Sequence, residues 1–222
     1  MPNIVKNTTF PNLLDLLAPH SCRGCGRIGS SLCDCCKNNI ILSYLHDPPK
    51  LKTPKSFPPV FTVSNRTGLM DNLIHGLKYN SARAIAKPLA EILDHTLPAV
   101  EGSVSIVPLP TISRHVRDRG PDHTHLIAKY LAKFRHYKVE KLLVRAQDTV
   151  QVGADRRTRL AQAKSAYAVT TNAKLNSQTT YILLDDVWTT GASMKAAVKK
   201  LRQSGANQII VALLAVSRLE QD

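Results

Sequence analysis

Residues Tyr181-Ile-Leu-Leu-Asp185-Asp186-Val-Trp-Thr189-Thr190-Gly191-Ala-Ser193 decide the fold of this chain. Four apolar residues lead directly into two adjacent acids, and a Thr-Thr-Gly turn follows them. The apolar run predicts a buried strand that delivers both carboxylates to its C-terminal edge. Open α/β sheets bind ligands at that edge, so the pattern predicts a functional turn as well as a fold.

The residues after this turn predict a helix and then a second strand. Residues 209–216 form an apolar run, which is typical of a buried parallel strand. Gly205 lies before this run and is the expected C-terminal cap of the helix. The apolar face of the helix repeats at helical spacing and comprises Met194, Ala197, Val198 and Leu201.

The rest of the chain divides by composition into three parts. Residues 1–46 form an N-terminal segment that contains every cysteine, and residues 47–59 form a connector with five prolines. Residues 60–222 form the main α/β domain. In that domain we predict strands at residues 60–63, 104–107 and 139–144, and helices at residues 67–78 and 82–96.

The acids and hydroxyls of the turn suit a phosphorylated sugar. Two neighbouring carboxylates can accept hydrogen bonds from vicinal hydroxyls, as on a ribose. Thr189, Thr190 and Ser193 offer hydroxyl donors beside the amides at a helix start, which suits a phosphate. The structural alternative is a loop in which an Asp caps the helix and the threonines fill a turn.

This pattern resembles the phosphoribosyl pyrophosphate (PRPP) motif of type I phosphoribosyltransferases. Further motifs appear in the order of the ComF family, from about residue 10 to residue 218. They are Cys22-Arg-Gly-Cys25 with Cys33 and Cys36, Leu73-Ile-His-Gly-Leu-Lys78-Tyr79, Val107-Pro-Leu-Pro110, Arg117-Asp-Arg119-Gly120, and Asp148-Thr-Val-Gln151 with Arg156 and Arg159. ComF proteins are bacterial phosphoribosyltransferase-like proteins linked to DNA uptake in natural transformation.

The resemblance implies a type I phosphoribosyltransferase fold, Mg²⁺ bound together with PRPP, and phosphoribosyl transfer to a nitrogen acceptor. It implies catalytic roles for Asp185, Asp186, Arg119 and Lys78. The implied PRPP contacts are Asp185, Asp186, Thr189, Thr190, Gly191, Ala192 and Ser193, with Leu109, Pro110 and Thr111 holding the pyrophosphate through backbone amides. The implied phosphate or DNA contacts are Arg114, Arg117, Gln151, Arg156 and Arg159.

The chain departs from the family after Arg119-Gly120. The family usually continues Phe-Asn-Gln, whereas this chain has Pro121-Asp122-His123. The change removes an aromatic ring and two amides from the region of the acceptor pocket. Asp122, His123 and His75 are the residues that we consider as a general base, although a lone histidine is more often a surface or packed residue.

The cysteines follow a metal-binding pattern, C-x2-C, seven residues and C-x2-C, built by Cys22, Cys25, Cys33 and Cys36. Two such knuckles can hold a structural Zn²⁺ in a zinc ribbon. A pair of disulfides is the alternative, which a cytosolic location disfavours. Cys35 is left over, and it could replace Cys36 as the fourth ligand, although the C-x-C spacing fits less well.

The charge predicts anionic partners. The 222 residues carry a net charge of +14, and residues 111–165 contain thirteen Lys/Arg against five Asp/Glu. Such a field attracts pyrophosphate or nucleic acid, although a solvated surface is its commoner role. We find no apolar run long enough for a membrane span and no secretory signal, so we expect a cytoplasmic protein.

Two other functions remain open at this point. The chain could bind PRPP or a nucleotide without turnover and act as a zinc-containing single-stranded-DNA-binding competence factor that contacts other competence proteins. Scarce aromatics, at 5%, weigh against DNA stacking. It could also be a regulator that senses PRPP.

Overall fold

The structure is a computed structural model that describes residues 20–79, 82–110, 122–145, 167–170, 173 and 175–217. A five-stranded sheet lies at its centre, and each neighbouring pair of strands is parallel. A second, two-stranded sheet is antiparallel. In chain order the strands are β1 (Val60–Asn65), β2 (Val104–Pro108), β3 (Lys138–Val139), β4 (Leu143–Arg145), β5 (Tyr167–Val169), β6 (Thr180–Trp188) and β7 (Gln208–Val216).

The five strands lie in the order β1-β7-β6-β2-β3. The described helices are α1 (Asp34–His46), α2 (Gly68–Tyr79), α3 (Ala82–Thr96), α4 (His123–Arg135) and α5 (Ala192–Gln203). Apolar residues of α2, α3 and α4 pack in one core against one face of the sheet. Apolar residues of α5 and of the small β4–β5 sheet pack in a second core against the other face. The chain is therefore an α/β protein in which helices cover both faces of a parallel sheet, as predicted.

Most of the predicted elements are confirmed. α3 has the predicted bounds, and α2 is displaced by one residue at each end from the prediction. The predicted face of α5 is buried at all four positions, and β6, α5 and β7 follow one another as predicted. These segments were predictable because their apolar periodicity is long and regular.

The single strand predicted at residues 139–144 is wrong. The chain instead forms β3 and β4, which belong to different sheets. The Glu140 N–H donates to the Ile106 carbonyl of the central sheet at 2.9 Å, whereas the Leu142 carbonyl accepts from Thr170 beside β5 at 2.9 Å. Only Lys141 lies between these two hydrogen-bonded residues, and an apolar run does not reveal such a change of partner.

The N-terminal segment packs directly on α3. The Ser31 hydroxyl donates to the Ala84 carbonyl at 2.6 Å, and Lys37 forms an ion pair with Glu91 at 2.6 Å. Cys22, Leu32 and Cys36 belong to the same buried core as the residues of α2 and α3. On the other face, Phe57 of the connector packs edge to face on Trp188, with ring centroids 5.7 Å apart.

Arg135 joins the ends of α4 and α3. Its guanidinium donates to the backbone carbonyls of Asp94, Leu97 and Pro98 and to the Asp94 carboxylate. One charged side chain thereby satisfies carbonyls at the C-terminal end of α3. Among the described residues, none of the helices combines the length and the apolarity needed to cross a membrane.

Candidate functional site

The order of the strands creates a crevice between β2 and β6. From β2 the chain runs through α4 to the edge strand β3, and from β6 it runs through α5 to β7 on the other side. The two connections therefore leave in opposite directions, with α4 and α5 on opposite faces of the sheet. In open α/β sheets such a reversal opens a ligand crevice at the carboxyl ends of the two strands.

Asp185 and Asp186 lie at this crevice, within β6 rather than on the turn after it. The two acids follow the alternation of the strand, so Asp186 faces α2 and Asp185 faces α5. The alternation breaks only after Asp186, where Val187 packs in the core with α2 and Trp188 packs in the other core. The Asp186 N–H donates to Asp185 Oδ1 at 2.9 Å. β2 pairs with β6 only as far as Leu184, so both acids follow the last pair of these strands.

Asp186 is buried and contacts two basic side chains. Lys78 Nζ of α2 lies 2.7 Å from Asp186 Oδ2, and His123 Nε2 of α4 lies 3.1 Å from the same oxygen. Burial would raise the pKa of Asp186, but the hydrogen bond from His123 and the charge of Lys78 outweigh burial and lower it. Asp186 is therefore an anion that two helices hold in place.

Asp185 has the opposite electrostatic environment. Burial and the adjacent charge of Asp186 raise its pKa well above the usual value. Most of its side chain is buried, and the remainder lines a small cleft with Thr189, Gly191 and Ser193. The pKa values of the two adjacent carboxyls are therefore shifted in opposite directions, which is a common property of functional sites.

The turn after β6 requires a glycine. Gly191 has a φ of +73°, and a Cβ at this position would lie 2.2 Å from Cζ2 of Trp188. Gly191 is also the N-cap of α5, so no N-cap side chain occupies the first amides of that helix. The Ala192 N–H donates to Thr190 Oγ1 at 3.3 Å, and the side chains of Thr189 and Thr190 are exposed.

The start of α4 differs from the start of α5. There Asp122 is the N-cap, and its carboxylate accepts from the N–H groups of Thr124 at 3.1 Å and His125 at 3.3 Å. Asp122 thus has a structural role as a helix cap. Of the two helix starts at the crevice, that of α5 is the better site for a phosphate.

The predicted pyrophosphate contacts of Leu109 and Pro110 require a correction. The Leu109 N–H donates to the Leu184 carbonyl at 2.8 Å, and its side chain is buried. Pro110 has no N–H, and its carbonyl accepts from Arg145 Nε at 3.1 Å. Neither residue offers a free amide. Seven further predicted site residues lie outside the described residues: Thr111, Arg114, Arg117, Arg119, Gln151, Arg156 and Arg159.

Two further residues at the crevice, Arg145 and Tyr167, belong to none of the motifs found in the sequence. The Arg145 guanidinium lies over the Tyr167 ring, 4.7 Å from its centroid. Burial raises the pKa of the Tyr167 hydroxyl, while contact with Ser193 and the charge of Arg145 oppose the rise. β5 has only three residues, so its apolar pattern is too short to detect.

The structure also distinguishes the three residues considered as a base. His75 is an exposed residue of α2, and Asp122 caps α4. His123 contacts Asp186, one of the paired acids. This contact joins positions 63 residues apart, so no local pattern predicts it.

The four predicted metal ligands form one cluster. The sulfurs of Cys22, Cys25, Cys33 and Cys36 all lie within 4.8 Å of one another. The Cys22–Cys33 and Cys25–Cys33 sulfurs are 3.6 Å apart. A zinc tetrahedron with bonds of about 2.3 Å would place them about 3.8 Å apart, whereas a disulfide needs about 2.05 Å. All five cysteines are free, so the cluster is compatible with structural zinc.

Cys36, not Cys35, completes the cluster. Cys35 is exposed and lies outside the group, whereas Cys36 is buried within it. The second cysteine pair lies at the start of α1 instead of in a second ribbon hairpin. Helix geometry explains the choice, because residues three apart lie on one face of a helix.

The thiols differ in acidity. Although burial opposes the change, backbone N–H donors, including those of Cys33 and Gly24, lower the pKa of Cys22 to about 6. The neighbouring Cys33 thiol and burial raise the pKa of Cys36 to about 12. A divalent cation would compensate for the repulsion among the thiolates.

No protein-family model matches the chain, and a search of curated proteins likewise finds no match. The geometry of the crevice and of the cysteine cluster therefore carries the functional argument.

Proposed function

We propose that this chain is a ComF-family protein with a type I phosphoribosyltransferase fold, which binds PRPP with Mg²⁺ and transfers its phosphoribosyl group to a nitrogen acceptor. We propose DNA uptake in natural transformation as its biological role. One observation carries the molecular proposal: a pair of acids and a helix start with a glycine N-cap meet at the crevice between β2 and β6.

The residues have distinct roles in this proposal. Asp185 and Asp186 accept hydrogen bonds from the ribose hydroxyls, and residues 189–193 hold the 5′-phosphate at the start of α5. Lys78 and His123 both contact Asp186 Oδ2, which fixes the orientation of the carboxylate. Mg²⁺ supplies a positive charge for the pyrophosphate when PRPP is bound.

Electrostatics and position dominate the proposed reaction. The bond from C1 of the ribose to the pyrophosphate breaks with its electron pair on the pyrophosphate, and positive charge develops on the sugar. The carboxylates beside the ribose stabilise that charge. The crevice also holds the nitrogen nucleophile and C1 in line, which removes much of the entropic barrier.

The DNA-binding alternative has less support among the described residues. The net charge of +14 favours it. Stacking platforms, however, need exposed aromatic rings. Trp188 is buried under Phe57, and the Tyr44 hydroxyl donates to the Thr96 carbonyl at 3.3 Å. The described residues therefore favour binding of PRPP over binding of single-stranded DNA.

We further propose that Cys22, Cys25, Cys33 and Cys36 hold one structural Zn²⁺. All four positions are taken by protein ligands in such a site, so the metal has no open position for catalysis. Its role is to stabilise the N-terminal segment, whose buried cysteines pack with α2 and α3.

Calorimetric titration of PRPP with Mg²⁺ tests the function. We compare the wild type with an Asp185→Asn/Asp186→Asn variant and with Asp71→Asn. Asp71 is a matched control, because it is an exposed acid of α2 that pairs with Arg66 at 2.7 Å. PRPP is an anion, so removing acids without a specific role should strengthen its binding. Lost binding in the double variant alone would therefore indicate recognition of the ribose or the metal.

Two outcomes of this titration would contradict the proposal. If the folded, zinc-loaded wild type does not bind PRPP, the transferase proposal is wrong. Fluorescence anisotropy with a single-stranded oligonucleotide then tests the alternative, which predicts binding that weakens steeply as salt rises. If the double variant binds as well as the wild type, the acids do not form the site.

A further inference from the structure

Arg145 lies where β2 ends and α5 begins. Its Nε donates to the carbonyl of Pro110, which lies two residues beyond the end of β2. Its guanidinium covers the ring of Tyr167, which also contacts Ser193 at the start of α5. Arg145 thus connects the two sides of the crevice on the face where Asp185 lines its cleft.

Two contacts preorganise this side chain. The hydrogen bond at Nε and the stack on a fully buried ring fix the plane of the guanidinium. Nε is the only one of its nitrogens used in these contacts, so the two terminal nitrogens keep four N–H donors. A planar fork with a fixed orientation suits two oxygens of one phosphate group.

The charge of Arg145 lacks a carboxylate partner in the described part of the chain. No ion pair joins it to Asp185 or Asp186, although both belong to the same crevice, and Asp186 already has Lys78 and His123. A partly buried cation costs free energy unless it is paired. An anionic ligand would supply the missing charge.

We propose that Arg145 binds the pyrophosphate group of PRPP in place of the amides that Leu109 and Pro110 do not offer. This inference rests on the proposed function. The 5′-phosphate lies at the glycine-capped start of α5, and the ribose lies at the paired acids. The pyrophosphate then lies toward the end of β2, where the Arg145 fork contacts two of its oxygens.

Three ligands distinguish binding at the pyrophosphate subsite from binding at the 5′-phosphate subsite: PRPP with Mg²⁺, pyrophosphate with Mg²⁺, and ribose 5-phosphate. Each is titrated by calorimetry into the wild type, Arg145→Gln and Arg145→Lys. Arg202→Gln is the matched control, because it removes one positive charge from the far end of α5. Thermal unfolding of every variant checks that the fold is retained.

Arg145→Gln is expected to weaken the binding of PRPP and of pyrophosphate roughly ten- to hundredfold. The affinity for ribose 5-phosphate should stay almost unchanged. Arg145→Lys should lose part of this affinity, because it keeps the charge without the fork. Wild-type affinity for PRPP in folded Arg145→Gln would overturn the inference and leave the proposed function intact. Equal losses for all three ligands would also overturn it. Failure of the wild type to bind PRPP would overturn both.

Discussion

Gly191→Ala tests the close contact between the turn after β6 and the indole of Trp188. The added Cβ has two costs. A left-handed backbone in an L-residue costs about 1–2 kcal/mol, and Gly191 has a φ of +73°. The Cβ would also lie 2.2 Å from Cζ2 and 2.5 Å from Cε2 of Trp188. Phe57 packs against the same indole, so the ring has little room to move.

Overpacking of this kind costs about 1–3 kcal/mol. With the strained backbone, the free energy of unfolding should fall by about 2–5 kcal/mol. Urea unfolding followed by circular dichroism measures this change, provided that the m-value stays constant. The variant should lose stability whether or not PRPP is present.

A second variant separates the free-energy cost of the strained backbone from that of the steric contact with Trp188. Trp188→Phe removes the outer atoms of the indole, so Gly191→Ala in that background should cost only the backbone part, about 1–2 kcal/mol. A double-mutant cycle then gives the steric part as the coupling energy. A cost below about 1 kcal/mol in the wild type, or an equal cost in both backgrounds, would refute the reasoning.

Three other substitutions have defined outcomes. Asp185→Asn should stabilise the protein at pH 7, because the raised pKa of Asp185 makes its ionised carboxylate unfavourable in the folded state. The gain in the free energy of unfolding should vanish near pH 3, where the wild-type acid is protonated. Urea unfolding at both pH values measures this gain. Arg135→Ala should cost about 2–3 kcal/mol, since it leaves the carbonyls at the end of α3 without their charged donor; an unchanged urea midpoint would contradict that role. Cys36→Ser should abolish zinc binding measured by a metal-release assay, whereas Cys35→Ser should retain it; equal zinc contents would show that Cys36 is not a ligand.

The predictable part of the fold is the part with long local patterns. β6, α5 and β7 could be predicted because the apolar runs within the two strands and a four-position helical face leave few alternatives. The four cysteines could be assigned from their spacing alone. The spacing already favoured Cys36 over Cys35, and the start of α1 gives the physical reason, because that helix decides which thiol faces the others.

The unpredicted part depends on contacts between distant residues. His123 and Asp186 meet because α4 and β6 border one crevice, and Arg145 reaches Pro110 because β4 leaves the central sheet. Leu109 was expected to offer its amide, but the register of β2 against β6 directs that N–H to Leu184. Each outcome depends on tertiary packing, which local sequence patterns do not encode.

The pairing of β1 with β7 has a consequence for synthesis in the cell. Val60 of β1 pairs with Val211 of β7, about 150 positions later in the chain. At ordinary rates of translation, the ribosome synthesises β7 about 10–30 s after β1. Until then β1 and the apolar residues that face it are unpaired on the ribosome. We expect chaperones to hold the nascent chain during this interval, because the central sheet closes only after β7 has emerged.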